Sequence, residues 1–383
     1  MARWAARQGR QGKKINRKKS HHTKESIQGD GAQAGPVAPR GKGAAMARVI
    51  VFGSLNMDLS MVCGRMPRAG ETVLGSGFFT NPGGKGANQA VAAARSGATT
   101  LMIGRVGDDA FGQRLTDGLL LSGVDCAEVQ TESGYATGTA MIVRSEGQNR
   151  IIVDPGANHA LDAAAARQIL QKLAQPGDVL LTQLECDLDA TFAVIDLAHQ
   201  MGLYTILNAA PAHELPDSVY GALDLLCVNE TECDSLCGVY PADRWRAREA
   251  LDCFTQHGVR NTVITLGKKG SVTLADRRVV RVPAYKVPAV DSTGAGDAYL
   301  GVLAGRLCDG SSLIEGMRYA TAASALAVQK AGAQQSMPTQ AQIQEFIAVH
   351  GLDAQEDAAQ KEAWEQKNLL DDSAQGDDEG AQS

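Results

Sequence analysis

The sequence predicts an α/β fold, a parallel sheet with helices on both faces, and three observations predict it. Between residues 47 and 350 one grammar recurs: a short β-branched run, a glycine turn, then an alanine-rich helical segment. Apolar residues make up 44% of the 383-residue chain, enough for a sizeable core in two average domains or one large domain with tails. No uninterrupted apolar run reaches the roughly 18 residues that read as a membrane-spanning helix. In a sheet of this kind ligands bind at the carboxyl ends of the strands.

The first strand, residues 49–52, is the run Val-Ile-Val-Phe, which begins abruptly after a lead without hydrophobic periodicity. It ends in Gly53-Ser54-Leu55-Asn56-Met57-Asp58, where Asn56 and Asp58 project the same way if the chain stays extended. Residues 59–80 break the rhythm and read as hairpin-like β structure outside the main sheet. The rhythm resumes with a helix at 87–96, a strand at 99–103 and a helix at 110–121. Residues 139–154 depart from it again, with strands at 140–144 and 150–153 around Glu146-Gly147-Gln148-Asn149. Such excursions from an α/β core are candidates for a lid or an interface. A helix at 162–173, a strand at 179–181, a helix at 190–201 and strands at 204–207 and 223–228 follow. Helices at 232–237 and 244–257 and a strand at 262–266 complete the alternation.

The ends differ from the middle. Residues 1–46 carry eleven Lys/Arg against Glu25 and Asp30, whereas residues 351–383 carry ten acids against Lys361 and Lys367. The first segment reads as a disordered basic extension, with Met46 an alternative start; organelle targeting, nuclear entry and a nucleic-acid-binding arm are weaker readings of it. The acidic C-terminal stretch reads as a disordered, solvated tail that begins with a frayed helix. Eight cysteines (63, 126, 186, 227, 233, 237, 253 and 308) form no CxxC pair, and they read as reduced, intracellular thiols at apolar positions rather than a metal site.

Two stretches carry chemistry. Asp291-Ser292-Thr293-Gly294-Ala295-Gly296-Asp297, followed by an apolar run, describes a tight loop turning into a helix. Its outward N–H groups and the helix dipole make an anion site. A carboxylate facing a phosphate repels it, so Asp297 reads as a general base for a neighbouring hydroxyl, although glycines and an Asp also suit a plain helix cap. The second stretch is Asn81-Pro82-Gly83-Gly84-Lys85-Gly86-Ala87-Asn88-Gln89-Ala90. It lacks the GxxxxGK[ST] spacing of a P-loop, and no GxGxxG follows the first strand. A glycine-lined helix start remains, from which Lys85 and Asn88 could reach a small polyhydroxylated ligand. Asn56 and Asp58 suit vicinal hydroxyls, and each of these residues also has an ordinary turn or surface explanation.

Six motifs together, Gly53 to Asp58, Pro82 to Ala90, Gln183-Leu184-Glu185, Asn229-Glu230-Thr231-Glu232, Thr265 to Gly270 and Asp291 to Asp297, resemble those of the phosphofructokinase-B-type carbohydrate kinases, and among them the ribokinases. The resemblance spans residues 47–345 in family order and spacing. It implies a three-layer αβα sandwich with a mostly parallel central sheet and a small β-sheet lid, which in ribokinases also clasps a second subunit to make a homodimer. The two excursions, about 59–80 and 139–154, fall where that lid would be.

The resemblance implies transfer of the γ-phosphate of ATP to the 5-hydroxyl of D-ribose in the cytoplasm. It makes Asp297 the base and Gly294, Ala295 and Gly296 the anion hole. Asn56, Asp58, Gly84, Lys85, Gly86, Asn88 and Glu185 correspond to ribose contacts. Asn229, Thr265, Leu266, Gly267, Lys268, Lys269 and Gly270 correspond to ATP contacts, with Thr321 beside the adenine. Glu232 completes an Asn-x-x-Glu motif associated with Mg2+, through waters, and also suits a helix cap. Asp291, Thr293, Ala327, Lys330, Gly332 and Ser336 match loops that hold K+, mostly through backbone carbonyls. The rival readings are a relative acting on 2-deoxyribose, a nucleoside or a hexose, a non-catalytic sugar-binding regulator of the same fold, and a nucleic-acid binder, which the acidic middle disfavours.

Overall fold

The computed structural model of the chain describes residues 47–146, 148–355 and 358–365. The expected basic extension, residues 1–46, lies outside the described residues. Among those described, the strands are β1 (Val49–Phe52), β2 (Asn56–Cys63), β3 (Gly75–Gly83), β4 (Thr100–Gly107), β5 (Val124–Glu132), β6 (Gly138–Ser145) and β7 (Gln148–Asp154). They continue with β8 (Val179–Thr182), β9 (Tyr204–Asn208), β10 (Leu225–Asn229), β11 (Thr262–Thr265), β12 (Ser271–Ala275) and β13 (Arg278–Val282). The α-helices are α1 (Lys85–Arg95), α2 (Ala110–Leu121), α3 (Ala163–Leu173), α4 (Leu188–Gln200), α5 (Asp217–Gly221) and α6 (Glu230–Cys237). After them come α7 (Arg244–Gln256), α8 (Ala295–Cys308), α9 (Leu313–Ala327), α10 (Gln340–His350) and α11 (Ala358–Glu365).

Nine strands form the central sheet in the order β13-β12-β11-β10-β9-β8-β1-β4-β5, parallel from β11 through β5. The period of two along each strand divides its apolar residues between two helical layers. Ile50, Phe52, Leu180, Leu207 and Leu226 pack with α3, α4, α6 and α7, while Val49, Val51, Leu181, Ile206 and Leu225 pack with α1, α2, α8 and α9. The chain is therefore the expected α/β fold, three layers thick. A second, four-stranded sheet, in the order β3-β2-β6-β7, is built from the two excursions. There β2 and β6 run parallel, with Asn56 opposite Gly138.

Three features depart from expectation. Strands β12 and β13 form an antiparallel hairpin at the sheet edge, turned through Asp276 and Arg277 at φ 48° and 61°. Two consecutive left-handed residues give the turn whose twist matches the strands, and this one has no Asn or Gly to announce it. Strand β5 was unanticipated because it lies at the opposite edge with half its residues facing out. Of the solvated tail expected from residue 351, residues 366–383 lie outside the described residues; the helix expected to fray at its start is α11, held by a Trp364 that is buried beside the α7 layer and takes the Arg281 guanidinium over its ring at 5.2 Å. One large apolar ring suffices to anchor a helix in an otherwise acidic stretch.

Candidate active site

Chain order runs outward from β1 in both directions, through β4 on one side and β8 on the other, so the loops leaving β1 and β8 part above a crevice. Three hydrogen bonds tie these loops to the start of α1. Ser54 Oγ and the Lys85 N–H both donate to Glu185 Oε2, at 2.5 and 3.0 Å, and the Gly86 N–H donates to Ser54 Oγ at 3.3 Å. A side chain at Gly86 would place its Cβ 2.5 Å from the backbone of Gly53 and Ser54. Glycine is thus what lets the helix meet the strand-end loop, and Gly84, at φ 88°, turns the chain into that helix.

On the same side, Asn158 fixes Asn56. Its Nδ2 donates to Asn56 Oδ1 at 2.8 Å, and its Oδ1 accepts from the Leu55 N–H at 2.8 Å. The Asp58 carboxylate leans over Gly83. Burial, and then the charges of Glu185 and Asp297, push its pKa up to about 7.

Asp297 is buried in the first turn of α8, behind an N-cap Gly294 at φ 75°. Asn88 Nδ2 donates to its Oδ2 at 2.8 Å and Gln89 Nε2 to its Oδ1 at 3.0 Å. Behind this pair Gln89 Nε2 also donates to Asn208 Oδ1 at 3.1 Å, and Gln89 Oε1 accepts from Gln183 Nε2 at 2.6 Å. Burial raises the pKa of Asp297, against the pull of Lys85 and of the two amides. Burial in turn disfavours the charge on Lys85, but Asp297, Glu185 and Glu232 outweigh it and its pKa stands above the ordinary lysine value. One ammonium is thus surrounded by three carboxylates, with Asn88 Oδ1 buried beside them and lacking a hydrogen-bond partner. A ligand hydroxyl is the donor such an oxygen lacks.

Two adjoining cavities open from Asp297. The first, of about 240 Å³, is lined by Lys85, Asn229, Glu232, Thr265, Gly294, Gly296 and Asp297. The second, of about 360 Å³, shares Thr265 and Gly296 with it and continues along Gly267, Lys268, Gly270 and Thr321 to the apolar Tyr285, Val287 and Val328. Leu266 instead packs in the core, and Lys269 reaches the Ala242 carbonyl at 3.4 Å, so neither side chain lines the space. The Ala295 N–H is engaged by the Ser292 carbonyl at 3.2 Å, so in this loop the N–H groups of Gly296 and Asp297 are the better anion donors. Asn229 and Glu232 form a reciprocal capping box on α6, each side chain accepting the other's backbone N–H at 2.8 Å. The capping reading of Glu232 therefore holds beside any ligand role. Burial raises its pKa, opposed by the Asn229 N–H and Lys85.

The loops expected to hold a cation lie together. Asp291 accepts the Thr293 N–H at 2.9 Å and the Gly332 N–H at 3.0 Å. Burial works against its charge, but these amides prevail and hold its pKa below the ordinary value. Ser336 is buried and donates to the Ala333 carbonyl at 2.7 Å, Ala327 is buried at the end of α9, and Lys330 points to solvent.

The sequence alone assigns no role to Gln89, Gln183, Asn208, Ser54 or Asn158. A signal for two of them exists: a polar residue closes the apolar runs of β9, β10 and β11, at Asn208, Asn229 and Thr265, and Gln183 directly follows Thr182 at the end of β8. In a parallel sheet those carboxyl ends converge on one site.

The sequence model of the pfkB family carbohydrate kinases matches residues 46–340. A ribokinase of Bacillus subtilis is 37% identical over 303 residues, covering 79% of this chain and 100% of the relative. A ribokinase of Haemophilus influenzae is 36% identical, covering 78% of this chain and 97% of the relative. A deoxyribokinase of Salmonella typhimurium is 33% identical, covering 79% and 99%. Among solved structures, Arabidopsis thaliana ribokinase complexed with ribose and ATP superposes with a TM-score of 0.73 at 29% identity, covering 79% of this chain and 99% of that one.

Proposed function

Because the chain belongs to the pfkB family of carbohydrate kinases, we propose that it phosphorylates D-ribose at O-5 with ATP, giving ribose 5-phosphate and ADP. One observation carries the reading: a buried carboxylate, Asp297, stands in the first turn of a helix between a polar crevice and a cavity that runs on to an apolar slot. Asp297 accepts the proton of the sugar hydroxyl as its oxygen attacks phosphorus. The N–H groups of Gly296 and Asp297 face the charge that builds on the phosphoryl oxygens, and Lys85 adds a positive charge on the same side. Asn56, Asp58, Asn88 and Glu185 bind the sugar hydroxyls, and the slot around Thr321 takes the adenine.

The residues fit both cations. Mg2+ keeps several waters and takes only one or two carboxylates beside the phosphates, and Glu232 lines the cavity beside Asp297. Glu232, with one oxygen on the Asn229 N–H, would order such water through the other; bound there, the ion would neutralise phosphate charge. K+ would be held by carbonyls of the 327–336 loop beside the ionised Asp291, and by ordering that loop would steady the start of α8. A homodimer through the four-stranded sheet, acting as a lid, is supported by the exposed Phe78, Met141, Ile151 and Ile152 on it. Eight free thiols support the cytoplasm as its setting.

A coupled assay of wild type and Asp297→Asn with ribose, 2-deoxyribose, nucleosides and hexoses tests the proposal. The variant is expected to lose about 10²–10⁴-fold in kcat while still binding sugar. Unchanged turnover removes Asp297 from the chemistry, and a preference for 2-deoxyribose moves the enzyme beside its deoxyribokinase relative.

A further inference from the structure

The wall of the slot around Thr321 is held from behind by the chain that follows α10. Residues 283–289 leave β13 with no regular secondary structure, and Ala284, Tyr285, Val287 and Ala289 of this stretch line the second cavity. A segment without a hydrogen-bonded ladder takes its position from side-chain attachments. Tyr285 supplies them. Its ring meets Phe346 of α10 edge-on, with centroids 4.9 Å apart, and its hydroxyl donates to the Gly351 carbonyl at 2.7 Å, with the Leu352 carbonyl 2.9 Å away. Those two carbonyls belong to a stretch that is itself tied down. Arg318 of α9 reaches the Asp353 carboxylate at 2.6 Å, Ala354 is buried, and Trp364 of α11 packs under Arg281, four residues before Tyr285. The chain after α10 thus grips the 281–285 stretch at both of its ends.

The hydroxyl groups along the slot are committed to the protein. Thr321 donates to the Met317 carbonyl at 2.8 Å, Ser324 donates to the Ala295 carbonyl at 2.8 Å, and Tyr299 shares a proton with Ser271 at 2.8 Å. The Tyr285 hydroxyl is engaged by carbonyls of residues that do not line the cavity. A base entering the slot is therefore held chiefly by contact with apolar surface, and such contact weakens steeply when the wall stands even slightly too far away. We propose that Tyr285 is a positioning residue for the nucleotide and that residues 351–353 set it: the hydroxyl's hydrogen bond fixes the ring before the nucleotide arrives. The inference rests on the kinase reading above. A wall side chain that had to be ordered on binding instead would weaken affinity about two- to tenfold.

Calorimetry on the full-length protein measures the Kd of ATP without sugar and the Kd of D-ribose without nucleotide, for wild type and Tyr285→Phe. The variant keeps the ring and its contact with Phe346 and loses the hydroxyl alone. ATP is expected to bind it about two- to tenfold more weakly, with the Kd of ribose unchanged. Hydrogen exchange gives the reciprocal measurement. ATP is expected to slow exchange at the amides of residues 351–354 in the wild type, although none of these residues lines the cavity, and to leave them unchanged in the variant. Three results overturn the proposal: an unchanged ATP affinity in Tyr285→Phe, an equal loss of ribose affinity, which marks a general loosening of the fold, or exchange that ATP slows in neither protein or in both alike. Wild type that binds no ATP overturns the kinase reading as well, whereas wild type and variant that bind ATP equally overturn the positioning role alone.

Discussion

Asp58 shows how one residue links the site to stability. Its ordinary pKa is 3.8 and its folded value about 7, so the folded chain holds the proton more tightly than the unfolded one. The stability this lends is complete below about pH 4 and is lost as pH rises through 7, by at most roughly 4 kcal/mol. The unliganded Asp58→Asn variant should therefore gain Tm relative to wild type between pH 5 and pH 8; a difference that stays constant with pH removes the shift. Gln89 acts at one remove, through Asp297. Gln89→Leu leaves Asn208 Oδ1 and Gln183 Nε2 without a partner, costing about 1–3 kcal/mol each, and frees the carboxylate to turn. Steady-state kinetics are expected to show kcat falling 10- to 100-fold with little change in the KM for sugar. Asp297 was legible in the sequence because a carboxylate among glycines is chemically odd. Gln89 and Asn208 were not, because a buried amide has many ordinary uses and their partners lie 208 and 119 residues away along the chain.

The elements that matter most are α1 and α8, whose contact brings Asp297 to its amides. Gly301 lies one turn beyond Asp297 on α8, and a Cβ there would press on the Gln89 carbonyl and stand 2.5 Å from the Cβ of Ala92. An alanine in a helix interior is ordinarily worth up to about 1 kcal/mol over glycine, but here the clash decides the sign. Gly301→Ala is expected to cost about 1–3 kcal/mol in denaturant unfolding and at least tenfold in kcat, since it separates the two helices where the carboxylate is held. Most helices and parallel strands were readable from their alternation and glycine turns. The β12–β13 hairpin was not, because its left-handed Asp276–Arg277 turn depends on the twist of its strands rather than on a turn-forming residue.

For the whole molecule, two sheets divide the work. The central one was legible as a class, and the excursions stood out as departures from its rhythm. That β2 and β6 pair in parallel could not be read from residues so far apart in the chain. Strand β7 is exposed along its length, with Ile152 72% accessible, so Ile152→Glu should leave the monomer folded. If copies associate through this sheet, sedimentation velocity will show the wild type as a dimer and the variant shifted to monomer; a dimer in both moves the interface elsewhere. At the other extremity of the protein, α11 folds back beside β13, the last strand of the nine, with Trp364 against Arg281. That strand's outer row of amides and carbonyls is where a stray chain could add itself. Because Trp364 is buried in the core beside that strand, a protein cut before residue 358 would bare apolar surface next to its sheet edge while keeping every residue that lines the two cavities.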